Sequence, residues 1–213
     1  MRPARFAANR GLFFCLRSSC TILQPHSILY QIHISYTPPL SALWRFANAF
    51  ADLLFFFFFF FSIVAIPDRE LLSTPDGGIV SIDWAPSFKA KPVDDTPTLV
   101  LLHGLTGGSH ESYIRALVET MTKDHGYRCV VFNARACADT ELTTAQLYCG
   151  SWTDDLRMVV KHIRKTLPEA KLMSVGFSLG SNILMNYMGE EGDRCEFLGA
   201  MSVGNPFDLM GYV

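Results

Sequence analysis

The sequence predicts an α/β domain built on a mostly parallel sheet with flanking helices, and three observations predict it. From Glu70 to the end, short apolar runs alternate with amphipathic segments, the signature of repeated β-α-β units. Some runs are apolar throughout, as strands buried on both faces must be. The segments between them repeat their apolar residues at helical spacing and end in helix-stop signals.

Each element follows in order. Asp76, Gly77 and Gly78 form a turn that leads into a strand over 79–84, where apolar and polar side chains alternate. Residues 86–97 are a polar, proline-punctuated loop, and 98–102 (Thr-Leu-Val-Leu-Leu) a strand buried on both faces. Ile114, Leu117, Val118 and Met121 mark a helix over 113–123, and Cys129, Val130, Val131 and Phe132 a buried strand over 128–133. Leu156, Val159, Val160 and Ile163 share one face of a helix over 152–166, stopped by Pro168. A strand over 171–176, a helix over 179–188 and a strand over 198–203 complete the pattern. Ending on that last strand is expected to leave an unpaired apolar sheet edge.

Residues 1–66 read differently. They show no helical or strand periodicity and end in Leu53, Leu54, seven phenylalanines at 55–61 and a run closing on Ile66. That apolar stretch of 14 residues falls short of the roughly 20 that cross a bilayer. The chain therefore divides into an N-terminal extension, 1–66, poorly structured or touching a membrane through Leu53 to Ile66, and the N-terminal part of an α/β domain, 70–213.

Composition excludes several classes. At 49% hydrophobic and 18% charged the chain is not composed like a disordered protein. The net charge of -2 hides an asymmetry: Arg2, Arg5, Arg10, Arg17 and Arg45 face no acid in the first 51 residues, leaving 13 basic against 20 acidic residues beyond. That remainder would repel a phosphate backbone, so no nucleic-acid partner is expected. The six cysteines (15, 20, 129, 137, 149, 195) lack CxxC spacing and read as reduced thiols, and the six scattered histidines hold no metal-ligand spacing, so neither metal nor cofactor is expected.

The chemistry centres on Gly176-Phe177-Ser178-Leu179-Gly180, a G-x-S-x-G between an apolar strand and a helix. Such a turn pushes a serine hydroxyl into solvent and aims the following helix's unpaired N–H groups at any anion formed there. His103-Gly104-Leu105-Thr106-Gly107-Gly108 directly follows the 98–102 strand, where a second oxyanion donor should lie. Ser178 is thus the candidate nucleophile, and the backbone N–H groups of Leu105 and Leu179 the candidate oxyanion hole. His103 reads as a structural histidine bonding loop carbonyls, and His110, His125 and His162 as surface or packing residues. A serine hydroxyl needs a base oriented by a carboxylate, and no histidine follows Ser178. Asp193 and Asp208 precede the strand that would carry such an acid, so acid and base are expected to be absent from these 213 residues.

The set His103 to Gly108, Asn133-Ala134-Arg135, Leu147-Tyr148-Cys149-Gly150, Trp152-Thr153-Asp154-Asp155, Gly176 to Asn182 and Gly204-Asn205-Pro206-Phe207-Asp208 resembles one branch of the α/β hydrolases. That branch is the abhydrolase group-four family, with the fungal medium-chain fatty acid ethyl ester synthase/esterases and animal membrane-anchored lipid hydrolases. The resemblance implies a partial α/β-hydrolase fold lacking its C-terminal strands. It also implies hydrolysis or alcohol transfer of acyl esters by a Ser-Asp-His triad, of which only Ser178 maps here. Ala136 stands where the family has glycine after Asn-x-Arg; if that position needs a positive φ, alanine costs on the order of 1 kcal/mol. Asp154 and Asp155 read as charges suited to a solvated first helical turn, and Cys137 and Cys149 as small buried hydrophobes.

Two functions follow: a serine hydrolase or acyltransferase on lipid, medium-chain acyl esters, or a catalytically incomplete fragment with binding capacity at most. A non-catalytic α/β scaffold is a third. The expected location is intracellular, on an endomembrane or lipid droplet.

Overall fold

The computed structural model describes residues 12–16, 19–23, 68–87 and 94–206. The strands are β1 (Leu12–Leu16), β2 (Ser19–Leu23), β3 (Asp68–Ser73), β4 (Ile79–Ala85), β5 (Thr98–Leu102), β6 (Arg128–Asn133), β7 (Leu172–Phe177) and β8 (Phe197–Val203). They make one sheet in the order β2-β1-β8-β7-β5-β6-β4-β3. The helices among the described residues are α1 (Ser112–Lys123), α2 (Asp154–Thr166) and α3 (Leu179–Glu191).

The centre of the sheet is parallel, with β5 pairing both β6 and β7, and β7 pairing β8. Both faces are covered. Leu99 and Leu101 of β5 point with Cys129 and Val131 of β6 toward Ile114, Leu117, Val118 and Met121 of α1. Val100, Leu102, Val130 and Phe132 point the other way, toward Leu156, Val159, Val160 and Ile163 of α2 and Ile183 and Leu184 of α3. A period of two feeding two apolar layers is why these strands read as continuous apolar runs.

From β5 the chain passes over one face to β6, then crosses the other face to β7 on β5's far side. The carboxyl ends of β5 and β7 therefore flank the point where the strand order reverses, the place where such sheets form a crevice.

Three differences from the sequence reading have physical causes. β3 begins at Asp68 and is half-exposed at the sheet margin, so it carries no apolar run. β4 is buried from Val80 onward, its polar residues included, because each finds a partner: Ser81 with Thr140 at 2.7 Å, and Asp83 with Arg69 at 2.7 and 2.8 Å. The third concerns the N-terminal region, where no strand was expected. β1 and β2 form a hairpin there, and β1 lies antiparallel to β8 from Phe13 beside Ser202 to Leu16 beside Gly199. The apolar edge expected at β8 is thus paired. The Leu53 to Ile66 stretch lies outside the described residues, and no described helix is long and apolar enough to cross a membrane.

Candidate active site

The site is built where β7 turns into α3. Ser178 takes φ 48° and ψ -115°, a conformation costing a side-chain-bearing residue roughly 1–3 kcal/mol, and its side chain is exposed. Several bonds hold the turn in place. The Ser178 N–H donates to Val203 O of β8 at 2.8 Å, and Ser178 O accepts the Ser181 and Asn182 N–H groups and, at 2.6 Å, the Ser181 hydroxyl.

The two flanking glycines serve close approach. A Cβ on Gly176 would lie 2.6 Å from Ser181 Cα and 2.7 Å from Gly180 O. On Gly180 it would lie 2.7 Å from Leu102 O and closer still to His103 O. Side chains there would prise α3 off the ends of β5 and β7.

The glycine-rich loop after β5 lies against the same turn, since a Cβ on Gly104 would sit 3.4 Å from Ser178 Cβ. Within it Gly104 N–H, Thr106 N–H and Gly107 N–H are all engaged, and among the described residues the Leu105 N–H has no hydrogen-bond acceptor. Leu179, first residue of α3, has no preceding turn of helix to accept its N–H. The loop that carries the unclaimed Leu105 N–H thus lies against the Ser178 turn, and the unclaimed Leu179 N–H and the positive end of α3 follow that turn directly. The far end of the loop is pinned by the Ser109 N–H on Asn133 Oδ1 at 2.9 Å, with Asn133 itself bonded to Asp83.

His103 is buried and bonded at both nitrogens, Nδ1 to Gly104 O at 2.6 Å and Nε2 accepting the Ala134 N–H at 3.2 Å. Burial pushes its pKa below the ordinary value, so it is a neutral structural imidazole. His110 is exposed beside Glu111, and His162 on α2 lies 3.0 Å from Glu70. His125 precedes β6 and so sits at the amino-terminal end of the strands, about 20 Å away by strand rise. Among the described residues no imidazole bonds to Ser178. Asp193 lies beyond the far end of the 13-residue α3, about 20 Å from its start, and Asp208 falls outside the described residues.

The reading of Asp155 as a solvated helix-start charge is corrected. Its carboxylate is buried and takes two bonds of 2.7 Å from Arg135, itself buried, whose other N–H groups reach Asp76, Thr74 and Thr144. Asp154 is exposed and pairs with Arg157. Ala136 does occupy a positive φ, 59°, as do Ala138 and Asp139 close by. Cys137 is buried, its thiol pKa raised by that burial, whereas Cys149 is exposed. Sequence reasoning gave no role to the two tyrosines that touch the glycine-rich loop: Tyr113 has no local pattern to mark it, and Tyr148 stood only as a member of the Leu147 to Gly150 motif.

A family model described as the alpha/beta hydrolase fold matches residues 97–209. Over 116 residues the chain is 51% identical to a monoacylglycerol lipase of Saccharomyces cerevisiae, covering 54% of this chain and 26% of that protein. It is 40% identical over 141 residues to the phospholipase ABHD3 of Homo sapiens, covering 64% and 34%. With the medium-chain fatty acid ethyl ester synthase/esterase 2 of Saccharomyces cerevisiae it shares 41% over 116 residues, covering 54% and 26%. The chain thus spans a quarter to a third of the length of these relatives.

Proposed function

Because the chain belongs to the alpha/beta hydrolase fold family, we propose that it carries the nucleophile and oxyanion hole of an enzyme acting on lipid acyl esters through an acyl-enzyme at Ser178. The observation that carries this reading is the exposed Ser178 at φ 48°, followed directly by the unclaimed Leu179 N–H and lying against the loop that carries the unclaimed Leu105 N–H.

In this mechanism a base takes the Ser178 proton as Oγ bonds to the ester carbonyl carbon, and the carbonyl oxygen becomes an anion facing Leu105 and Leu179. Collapse breaks the bond to the alkoxy oxygen, which leaves as an alcohol with the proton. Water, or a second alcohol, then releases the acyl group by the same steps in reverse. The base and its orienting carboxylate come to Ser178 from outside the described residues. The relatives' names (lipase, phospholipase, ethyl ester synthase/esterase) support a lipid acyl ester as substrate. Membrane contact through Leu53 to Ile66, on an intracellular endomembrane or lipid droplet, suits that substrate.

A fluorophosphonate probe tests the reading: labelling mapped to Ser178 and lost in Ser178→Ala supports the enzyme. Equal signal from both proteins, or none from either, removes it.

A further inference from the structure

We infer that Tyr148, with Tyr113 beside it, is a positioning residue that aims the Leu105 N–H at the oxyanion; this rests on the reading of Ser178 given above.

The argument starts from peptide geometry. A trans peptide is planar, and its C=O and N–H point in opposite directions, so the direction of the Leu105 N–H is set by wherever the Gly104 carbonyl is held. Gly104 O is held three times over: by His103 Nδ1 at 2.6 Å, by the Gly107 N–H at 3.2 Å and by the Tyr148 hydroxyl at 3.3 Å. The same Tyr148 oxygen accepts the Thr106 N–H at 2.7 Å, which fixes the next peptide plane as well. One hydroxyl therefore grips the chain on both sides of Leu105 and leaves the N–H between them unclaimed. Tyr113, in the first turn of α1, completes the clamp by accepting the Gly104 N–H at 3.1 Å.

Without these partners the loop would be free to reorient. Gly104 and Gly107 flank the stretch, Thr106 sits at φ 56°, and the Leu105 side chain is largely exposed, so burial gives it little anchorage. Tyr148 is itself held, its ring lying edge-on to His103 at 5.9 Å. Burial raises the pKa of both tyrosines, so both hydroxyls keep their protons wherever an esterase works. The tyrosines also come from separate parts of the chain, α1 and the connection between β6 and α2.

A clamp of this kind acts on the transition state and barely on ground-state binding. The test is Tyr148→Phe in the full-length protein, which keeps the ring and removes the grip. Hydrolysis of a p-nitrophenyl acyl ester should show kcat lower by about 10- to 100-fold with KM within about twofold. Inhibition by a boronic acid, whose tetrahedral adduct places an oxygen in the oxyanion hole, should weaken in parallel. If Tyr148→Phe does not fold, Tyr113→Phe releases the Gly104 N–H alone and should lower kcat by about threefold or more with the same indifference of KM. A folded Tyr148→Phe whose kcat and boronate affinity equal the wild type's, or whose loss lies in KM alone, overturns the inference while leaving Ser178 as nucleophile. A wild-type protein that fluorophosphonate fails to label at Ser178 overturns the underlying reading, and the inference with it.

Discussion

Gly180→Ala is the sharpest perturbation of the site, because one methyl group tests whether α3 must touch the end of β5. The new Cβ would meet only backbone: 2.7 Å to Leu102 O, 2.8 Å to Leu102 C and a still shorter approach to His103 O. Non-bonded heavy atoms settle near 3.5 Å, so the start of α3 must retreat by about 1 Å. Overpacking of this kind costs about 1–3 kcal/mol, or a Tm lower by roughly 2–10 °C for a domain of this size. The same retreat moves the Leu179 N–H and the Ser178 turn away from the loop carrying Leu105, and a misplacement of about 1 Å is worth about 100-fold in rate. Gly189→Ala is the matched control: same helix, same substitution, but an exposed position whose Cβ would meet nothing within 4 Å. It should stabilise by about 0.5–1 kcal/mol through helix propensity, leaving labelling unchanged. Circular-dichroism melts and fluorophosphonate labelling of the two variants give the answer. Equal melting temperatures and equal labelling rates would refute the claim that glycine at 180 is there for helix-to-strand contact.

Other expectations follow from the same geometry. Ala136→Gly relieves a positive φ of 59° and should raise stability by on the order of 1 kcal/mol, read as a higher urea midpoint at constant m. Arg135→Leu strands the buried Asp155 carboxylate and should cost about 3–5 kcal/mol, so a stable variant would show that the pair is dispensable. His103 makes stability depend on pH. Its folded pKa lies below the ordinary 6.5, so the unfolded chain takes up the proton first as pH falls. Its contribution is full above about 6.5 and is lost toward the lower folded value. Urea unfolding at pH 7.5 and 5.5 should therefore show a drop for the wild type that is smaller in His103→Gln, and identical drops would contradict the buried neutral imidazole. Deleting residues 1–25 exposes the β8 edge and should promote self-association, measurable by light scattering against the intact chain.

The β-α-β order and the G-x-S-x-G turn are local properties, and sequence alone determined them. The spans read as 98–102 and 128–133 match β5 and β6 residue for residue, because 99–102 and 129–132 are apolar runs buried on both faces. The Ala136 reading likewise turned on a single backbone angle, and that angle is positive. What only the tertiary structure decided involves partners far apart in the chain. Arg135 and Asp155 stand 20 residues apart and Tyr148 and Thr106 stand 42 apart, so no window of sequence displays either pair. A charge in the first turn of a helix looks solvated until the fold brings a guanidinium over it, as happens to Asp155. The β1 and β2 hairpin has too little pattern to announce itself, and its place is set by the vacant hydrogen bonds along β8. Periodicity reports which face of an element seeks burial; which other element supplies that burial is chosen by packing and hydrogen-bond satisfaction over the whole domain.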